Sequence, residues 1–372
     1  MHVLMTADTV GGVWTYTREL VSGLVRRGHR LTLVSLGKLP SPAQIAWIGD
    51  LPNLDFRPTT YALEWMRDSA EDIAASRTYL EQLIDEVKPD LLHFNQYAYG
   101  AMNTSLPKVV IAHSDVLSWW AAVKGEQAPA TQWLGWYREI VSRGLAGADI
   151  VISPSHWMLN QVRTHYLPPV QGEVIYNGRS PGRFDPNAEK HNQVVSIGRL
   201  WDTAKQMSLL TEHPPSAPVL IVGSEEHPDQ QPSACDVAAM PSGIRFSGPL
   251  SEQEIRTVLA QASMYAACSG YEPFGLAPVE AALSHCALIA NDIPSFRELW
   301  GDSAVYFRTN DAESLAETIR HLADHGELCE QYAESAYRHA LRNFEAEPMI
   351  NAYERFYQAL VVEEAAAACR DV

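Results

Sequence analysis

The feature that most constrains the fold is an alternation of short apolar strands with amphipathic helices, which occurs in each half of the 372-residue chain. In the first half, helical periodicity extends over residues 13–27, 70–87 and 133–145. The predicted strands of this half are residues 2–6, 30–35, 91–94, 109–113 and 150–153. This alternation predicts a parallel sheet with helices on both faces, a doubly wound α/β domain.

Residues 166–193 interrupt the pattern, because they are rich in Pro, Gly, Asn and Asp around one short strand at 173–176. Such a composition predicts a linker. Beyond it the alternation restarts, with predicted strands at 194–197, 219–222, 244–246, 264–267, 287–290 and 304–307. Helices are predicted over 251–262 and 278–284 and from residue 311 onward. We therefore expect two Rossmann-like domains that face a cleft, with ligands at the carboxyl ends of the strands.

The charge is uneven between the two halves. The 28 Lys and Arg residues against 45 Asp and Glu give a net charge of −17, which argues against nucleic acid as a partner. Residues 1–180 hold 15 basic and 17 acidic side chains, whereas residues 181–372 hold 13 and 28. The one basic cluster, Arg26, Arg27 and Arg30, is interpreted first as a solvated helix end, with contact to an anionic surface as the alternative.

The chain carries no signal for secretion or for a spanning helix. It lacks a run of about 18 uncharged apolar residues, and its N-terminus lacks a basic region followed by an apolar one. The five cysteines lack C-x-x-C spacing, which favours reduced thiols over disulfides or a zinc site. They are Cys235, Cys268, Cys286, Cys329 and Cys369. We therefore expect a cytoplasmic protein.

Residues 271–280, YEPFGLAPVE, carry the strongest functional signal, because they follow a predicted strand and open a predicted helix. The N–H groups and positive dipole of a helix start suit a phosphate, and Gly275 permits close backbone approach. Glu272 and Glu280 would repel phosphate, but carboxylates accept hydrogen bonds from sugar hydroxyls. A nucleotide diphosphate sugar satisfies both features, with Glu272 on the transferred sugar and Glu280 on the ribose. For either glutamate alone, a solvated helix side chain is the simpler interpretation.

Two cations, Arg199 and Lys205, follow the predicted strand 194–197 in the segment VSIGRLWDTAK. In the acidic half of the chain, two cations close to one strand end are unexplained unless they bind an anion. They fit the charge that develops on a diphosphate leaving group. Taken singly, each is better explained as a surface side chain.

Two weaker signals lie in the first half. Gly11 and Gly12, in TVGGV at residues 9–13, let the backbone approach a ligand, but the segment lacks G-x-G-x-x-G and a simple tight turn fits equally well. His113 ends the predicted strand 109–113 and so faces the predicted cleft. It could bond a sugar hydroxyl or polarise the reacting centre, with a structural histidine as the alternative.

Together these segments resemble the retaining glycosyltransferases of family 4, which have the GT-B fold. The resemblance runs from GGVWTYTRELVSGLVRRGH through IGRL and VIYNGRSPGRF to EPFGLAPVE and NDIPSFRELWGDSAVYF, nearly the whole chain. Its specific part is the E-x7-E spacing of Glu272 and Glu280. It implies an acceptor domain over residues 1–178, completed by a returning helix over 345–372, and a donor domain over 179–344.

The resemblance also implies residue roles. Arg199 and Lys205 would bind the donor diphosphate and His113 would lie near the donor sugar. Gly12, beside Gly11, would contact the phosphate from the opposite domain. The remaining donor contacts are Glu272 with the backbone of Phe274, Gly275 and Leu276 at the sugar and phosphate, and Glu280 at the ribose.

The predicted reaction moves a hexose from a nucleotide diphosphate sugar to a hydroxyl acceptor, without a metal or other cofactor, because D-x-D is absent from the chain. Front-face attack is favoured, since Glu272 is expected on hydroxyls away from the attacked face. A nucleotide-sugar epimerase or sugar phosphorylase on the same fold and a catalytically silent sugar-binding protein are the alternatives. An NAD-dependent oxidoreductase is disfavoured by the missing G-x-G-x-x-G.

The acceptor is the least determined part. A soluble glycan or small molecule is favoured, with peripheral membrane contact left open, and UDP is favoured over GDP as the nucleotide. Aromatic rings suit stacking on a sugar or an apolar aglycone. The candidate acceptor contacts at strand ends and loops are Asp8, Asn95, Tyr97 and Trp119.

Overall fold

The protein is described here by a computed structural model that covers residues 1–9, 11–166, 171–225 and 240–368, with side chains as far as Glu363. Two compact units divide the chain. Unit 1 comprises Met1–Gly178 and the chain from Ala346 onward, and unit 2 comprises Arg179–Glu345. Part of the segment predicted as a linker, residues 167–170, lies outside the described residues, as do Cys235 and Cys369.

Unit 1 is built on a seven-stranded parallel sheet. Its strands are β1 (His2–Asp8), β2 (Arg30–Leu36), β3 (Leu54–Pro58), β4 (Leu91–Phe94), β5 (Lys108–Ile111), β6 (Ile150–Ser153) and β7 (Gly172–Val174). They lie in the order β3-β2-β1-β4-β5-β6-β7. Its helices are α1 (Gly12–Arg26), α2 (Pro42–Ile45), α3 (Ala70–Val87), α4 (Val116–Lys124), α5 (Gln132–Gly147) and α6 (His156–His165). The order reverses between β1 and β4, as in doubly wound folds.

Unit 2 repeats this plan with six parallel strands. They are β8 (His191–Ile197), β9 (Val219–Val222), β10 (Ile244–Phe246), β11 (Ala262–Ala267), β12 (Ala287–Asn291) and β13 (Val305–Phe307), in the order β10-β9-β8-β11-β12-β13. Its helices are α7 (Leu209–Glu212), α8 (Glu252–Gln261), α9 (Leu276–Leu283), α10 (Pro294–Trp300), α11 (Ala312–Asp324) and α12 (Gly326–Asn343). The prediction of two α/β, Rossmann-like sheets is confirmed.

The last helix, α13 (Ala346–Ala368), belongs to unit 1 and packs against α1. A Cβ at Gly23 would lie 2.3 Å from Cδ1 of Ile350, so a larger residue at this position would require the Ile350 side chain to move. Arg27 lies 2.5 Å from a carboxylate oxygen of Glu347 and 2.6 Å from one of Glu354. Arg27, one of the three arginines of the basic cluster, is therefore paired with two carboxylates of α13.

The structure adds one strand to those predicted and shifts the bounds of others. β3 was missed, because its alternating charges and terminal Pro58 are typical of an edge strand, and β3 does lie at the sheet edge. β5 ends at Ile111, so the predicted strand 109–113 extends two residues too far. The strand predicted at 173–176 is β7, which occupies Gly172–Val174 and joins the unit 1 sheet.

Candidate functional site

The donor-binding residues predicted in the second half of the chain lie where the strand order of the unit 2 sheet reverses, between β8 and β11. These strands are parallel neighbours, so the loops that follow them, residues 198–205 and 268–275, leave the same edge of the sheet. In doubly wound folds, ligands bind outside the carboxyl ends of the strands at such a reversal. We call this place the unit 2 switch point.

Lys205 and Glu272, one from each loop, form an ion pair at the unit 2 switch point. Nζ of Lys205 lies 2.5 Å from Oε2 of Glu272, and Oγ of Ser269 donates to the same oxygen at 2.9 Å. The two charged side chains are 20% and 16% exposed. Among the described residues, Oε1 of Glu272 accepts no hydrogen bond. One carboxylate oxygen is therefore held in place while the other is left for a ligand.

Arg199 is also paired. Its Nη2 lies 2.6 Å from Oδ2 of Asp202, and its guanidinium lies 4.7 Å from the ring centroid of Trp201. Oδ1 of Asp202 accepts from the backbone N–H of Ala204 at 3.0 Å, which caps the turn Thr203–Lys205. Each of the two cations therefore has a carboxylate partner within the chain, and their binding to a ligand diphosphate stays a prediction. A ligand anion has to compete with those carboxylates.

The start of α9 lies directly after Glu272 in the chain. Gly275 has φ 85°, and within the described residues no side chain caps the first turn that begins at Leu276. A Cβ at Gly275 would lie 3.0 Å from Cγ of Glu272, so glycine allows the carboxylate to pack against the turn. Phe274 is buried, with its ring edge-to-face against Phe344 at 5.3 Å. The positive end of the helix dipole therefore lies beside the predicted sugar-binding carboxylate.

Glu280 faces an arginine that sequence reasoning missed. Oε1 of Glu280 lies 3.0 Å from Nε of Arg179, whose side chain is 1% exposed. Nη2 of Arg179 also lies 3.3 Å from Oε1 of Glu252, the first residue of α8. The composition of VIYNGRSPGRF predicted a linker, where an arginine is expected in solvent. No signal in the sequence distinguished Arg179 from a solvated linker residue.

The unit 1 sheet reverses between β1 and β4, and we call this the unit 1 switch point. β1 ends at the buried Asp8, and α1 begins at Gly12. Gly11 has φ 74°, in the region that favours glycine, and both glycines are exposed. Gly11 and Gly12 of the predicted phosphate-binding turn are therefore exposed near the carboxyl end of β1, while Thr9 is buried.

His113 lies two residues beyond the end of β5 and contacts the residue that follows β4. Its Nε2 is 2.7 Å from Oδ1 of Asn95, while Nδ2 of Asn95 donates to the backbone oxygen of Thr6 at 2.6 Å. Because that donation identifies Oδ1 as the acceptor, Nε2 of His113 carries the proton and Nδ1 is the basic nitrogen. Burial lowers the pKa of His113 to about 3, so the ring is neutral near pH 7.

A second histidine, His93 on β4, completes this network. Its Nε2 lies 3.4 Å from the same Asn95 oxygen, and its Nδ1 lies 2.6 Å from the hydroxyl of Tyr357 on α13. His93 is fully buried, which lowers its pKa to about 3. Sequence reasoning missed it because a histidine inside a strand such as LLHF is indistinguishable from a core residue. The histidine network at the unit 1 switch point is thus built from neutral groups.

Of the four candidate acceptor residues, three are buried and one, Trp119, is half-buried. Asn95 is buried within the histidine network, and Tyr97 is 3% exposed with its hydroxyl donating to the backbone oxygen of Ser114 at 3.0 Å. Trp119, on α4, is half-buried with its ring edge-to-face to Trp120. Asp8 lies at the end of β1. Acceptor binding by these residues stays a prediction.

The described thiols are buried and unpaired. Burial raises the pKa of Cys268 to about 12 and the pKa values of Cys286 and Cys329 to about 11, so none is a thiolate near pH 7. In the described ranges, no cluster of three or more His, Cys, Asp or Glu side chains could hold a metal ion. None of the helices described is long and apolar enough to cross a membrane.

Comparison with known proteins gives one family for both units. Residues 10–183 match the family description Glycosyltransferase Family 4, and residues 182–339 match Glycosyl transferases group 1. The phosphatidyl-myo-inositol mannosyltransferase of Mycolicibacterium smegmatis is 21% identical over 354 residues, which cover 88% of this chain and 85% of that protein. The O-antigen chain mannosyltransferase RfbU of Salmonella typhimurium is 20% identical over 50% of this chain, and the match spans about half, 54%, of its length.

Solved structures share the fold along nearly the whole chain. Sucrose-phosphate synthase from Thermosynechococcus elongatus superposes with a TM-score of 0.80 at 16% identity, covering 98% of this chain and 100% of that one. HepE from Anabaena in complex with UDP-glucose superposes with a TM-score of 0.76 at 17% identity, covering 96% and 100%. At these identities the likeness establishes the fold.

Proposed function

Since the chain belongs to glycosyltransferase family 4, we propose that it is a retaining hexosyltransferase that uses a nucleotide diphosphate sugar. The observation that carries this proposal is the gathering of Arg199, Lys205, Glu272 and the start of α9 at the unit 2 switch point. Cations and a helix start suit the diphosphate, and a carboxylate with an unused oxygen suits sugar hydroxyls. Both halves of one donor molecule are thereby accommodated.

The donor we favour is a UDP-sugar, with a GDP-sugar as the second candidate. HepE, which shares the fold, is described in complex with UDP-glucose, whereas the two sequence relatives named above are mannosyltransferases. Glu280 would accept hydrogen bonds from the ribose hydroxyls, which both nucleotides carry. A direct comparison of the two donors is therefore needed to identify the base and the sugar that the protein uses.

In the reaction we propose, the bond between the anomeric carbon and the diphosphate oxygen breaks as the acceptor oxygen attaches to the same face. The departing phosphate oxygen takes the proton of the acceptor hydroxyl, so charge and protons balance. Lys205 and Arg199 would exchange their carboxylate partners for the diphosphate and stabilise the charge that develops on it. Glu272 would hold hydroxyls of the transferred sugar. From the family resemblance, Gly12 is assigned to the phosphate and His113 to the donor sugar.

We propose that this chemistry needs no metal ion or other cofactor. The sequence contains no D-x-D motif to bind a diphosphate-bridging cation. Two cations and a helix start are available at the unit 2 switch point for the same charge. The leaving group is then stabilised by groups of the chain itself.

The acceptor we propose is a hydroxyl on a soluble glycan or small molecule. The basic cluster offered little positive charge to an anionic surface, and within it Arg27 is paired with Glu347 and Glu354. Because one relative is a phosphatidyl-myo-inositol mannosyltransferase, vesicles of anionic lipid belong among the acceptors to be tested. The three buried, unpaired thiols support a cytoplasmic location.

The test is incubation of the protein with UDP-glucose or GDP-mannose, alone and with a panel of glycans, small-molecule alcohols and phosphatidylinositol vesicles. We expect slow hydrolysis without an acceptor, faster donor consumption with the right one, and a product whose anomeric configuration, read by proton NMR, matches the donor. An inverted product would contradict the mechanism. Epimerised donor without transfer would contradict the reaction class.

A further inference from the structure

The residue that the predicted ribose contact depends on most directly is Arg179, which lies in a segment outside the predicted donor motifs. Arg179 is fully buried, and its two charged contacts reach different helices. Nε lies 3.0 Å from Oε1 of Glu280 on α9, and Nη2 lies 3.3 Å from Oε1 of Glu252 on α8. Nη2 donates a hydrogen bond to Glu252, whereas the contact between Nε and Glu280 is the attraction of the buried positive charge for the carboxylate.

The backbone around Arg179 is as constrained as its side chain. Its N–H donates to the backbone oxygen of Phe344 at 2.9 Å, and Arg179 forms an isolated parallel bridge with Glu345. The ring of Phe344 packs against Phe274, the residue before Gly275. The side chain therefore emerges from a fixed backbone next to the turn that starts α9.

Charge explains why this contact must persist. A buried guanidinium without a carboxylate partner is strongly unfavourable, and Glu280 and Glu252 both lie within ion-pair distance of Arg179. Glu280 is 14% exposed and Glu252 is 32% exposed. Glu280 is thus the less solvated of these two partners. An ionised carboxylate held in one orientation is what two ribose hydroxyls need as an acceptor.

We propose that Arg179 is a positioning residue that fixes Glu280 for recognition of the ribose hydroxyls of the donor. The proposal rests on the proposed function, since it assumes a nucleotide donor at the unit 2 switch point. Arg179 does not touch the ligand in this account. Its effect is confined to the nucleotide end, far from the bond that breaks, so it changes donor affinity rather than the chemical step.

The test compares dissociation constants for UDP and for 2′,3′-dideoxy-UDP, measured by calorimetry on the wild type, Arg179→Met and Glu280→Gln, and repeated with GDP and dideoxy-GDP. The wild type is expected to prefer the ribonucleotide by about tenfold or more, the range for hydrogen bonds to a charged group. Arg179→Met is expected to lose most of that preference, as Glu280→Gln does. Donor KM should rise by a similar factor while kcat changes little.

The matched control is Arg183→Ala. Arg183 lies 3.1 Å from the same carboxylate of Glu252 and is 30% exposed, whereas Arg179 is fully buried. We expect this variant to keep the full preference for the ribonucleotide. Arg179→Lys, which keeps the charge but lacks the fork, should recover part of the preference. If Arg179→Met does not fold, the ratio for Arg179→Lys carries the test.

The outcomes separate this inference from the proposed function. If the wild type binds neither UDP nor GDP, both fail. If it binds one of them but does not distinguish the dideoxy form, nucleotide binding stands and the role of Glu280, with that of Arg179, is overturned. If wild type and the Arg179 variants distinguish the two forms equally, the inference about Arg179 alone is overturned.

Discussion

The histidine network at the unit 1 switch point and the ion pairs at the unit 2 switch point are built from opposite kinds of polar group. In unit 1, His113, Asn95 and His93 are neutral and hydrogen-bonded to one another, and burial keeps both histidines uncharged near pH 7. In unit 2, Lys205 and Glu272 are charged and paired, as are Arg199 and Asp202. The first arrangement resists salt but responds to acid, whereas the second can exchange partners with a charged ligand.

The two switch points also differ in how their side chains are held before a ligand binds. A neutral network leaves few alternatives to its members, so it fixes the tautomer of His113 without a ligand. An ion pair such as Lys205–Glu272 stabilises the empty site, and a diphosphate has to replace one partner. The difference predicts that substitutions in unit 2 act mainly on donor binding and turnover, while substitutions in the unit 1 network act mainly on stability.

The largest expected effect is the loss of a cation from unit 2. Arg199→Ala and Lys205→Ala should each lower turnover by about a hundredfold or more, because each removes a group that stabilises charge on the departing diphosphate. Initial rates at saturating donor measure this. The matched control is Arg338→Ala, which removes an arginine paired with Glu334 on an exposed face of α12 and should leave turnover unchanged. Near wild-type turnover in Lys205→Ala would remove that residue from the mechanism.

The next effect comes from the turn that starts α9. Gly275→Ala places a Cβ 3.0 Å from Cγ of Glu272 at φ 85°. A left-handed conformation costs an ordinary residue about 1–2 kcal/mol, so we expect donor affinity to fall about tenfold as the turn shifts. Calorimetric titration with donor measures it. Gly326→Ala, at the start of α12 where a Cβ meets nothing within 4 Å, is the control, and equal affinity of the two variants would refute the tight-packing argument.

A smaller, pH-dependent effect is expected in unit 1. In the folded protein His93 stays neutral down to about pH 3, because burial lowers its pKa. In the unfolded chain the same side chain binds a proton below about pH 6.5. Wild type should therefore lose stability relative to His93→Gln as the pH falls from 6.5, by at most about 1.4 kcal/mol per pH unit. Hydrogen exchange of the β4 amides at several pH values measures the difference. A difference that does not vary with pH would contradict the buried neutral state.

Glu64, also in unit 1, is expected to give stability the opposite pH dependence. Burial raises its pKa from 4.5 to about 7, although it accepts from the N–H groups of Tyr97 and Ala98 at 2.8 and 2.7 Å. The folded state binds the proton more tightly, so wild type should lose stability relative to Glu64→Gln as the pH rises from about 4.5 to 7. The same exchange experiment, read at the amides of Tyr97 and Ala98, tests it. A shift of the same sign as for His93 would contradict the assignment.

The smallest expected effect is that of chelation. Because the chain itself supplies cations and a helix start for the diphosphate, activity with EDTA should stay within about twofold of the untreated enzyme. Loss of activity with EDTA that Mn²⁺ or Mg²⁺ restores would contradict the metal-independent mechanism. It would also remove the reason for assigning the leaving-group charge to Arg199 and Lys205.

The sequence was sufficient for the fold, because strand and helix periodicity are local patterns that identified two parallel sheets. The motifs around Gly275 predicted a donor site at the carboxyl ends of the unit 2 strands, and that site stays a prediction. The sequence was insufficient to predict which charged side chains pair at the site, because the ion pairs of Lys205 and of Arg179 join residues far apart in the chain. Lys205 meets Glu272 across 67 positions and Arg179 meets Glu280 across a still larger separation. No local pattern distinguishes such partners from solvated charges.

The central claim is that the unit 2 switch point binds a nucleotide diphosphate sugar by exchanging the Lys205–Glu272 ion pair for the diphosphate. Calorimetric titration of UDP-glucose and of GDP-mannose into wild type and Lys205→Ala tests it most directly. We predict saturable binding of one of the two donors by wild type at a single site, and affinity at least tenfold weaker in the variant. Binding that Lys205→Ala leaves unchanged, or no binding of either donor, would contradict the claim.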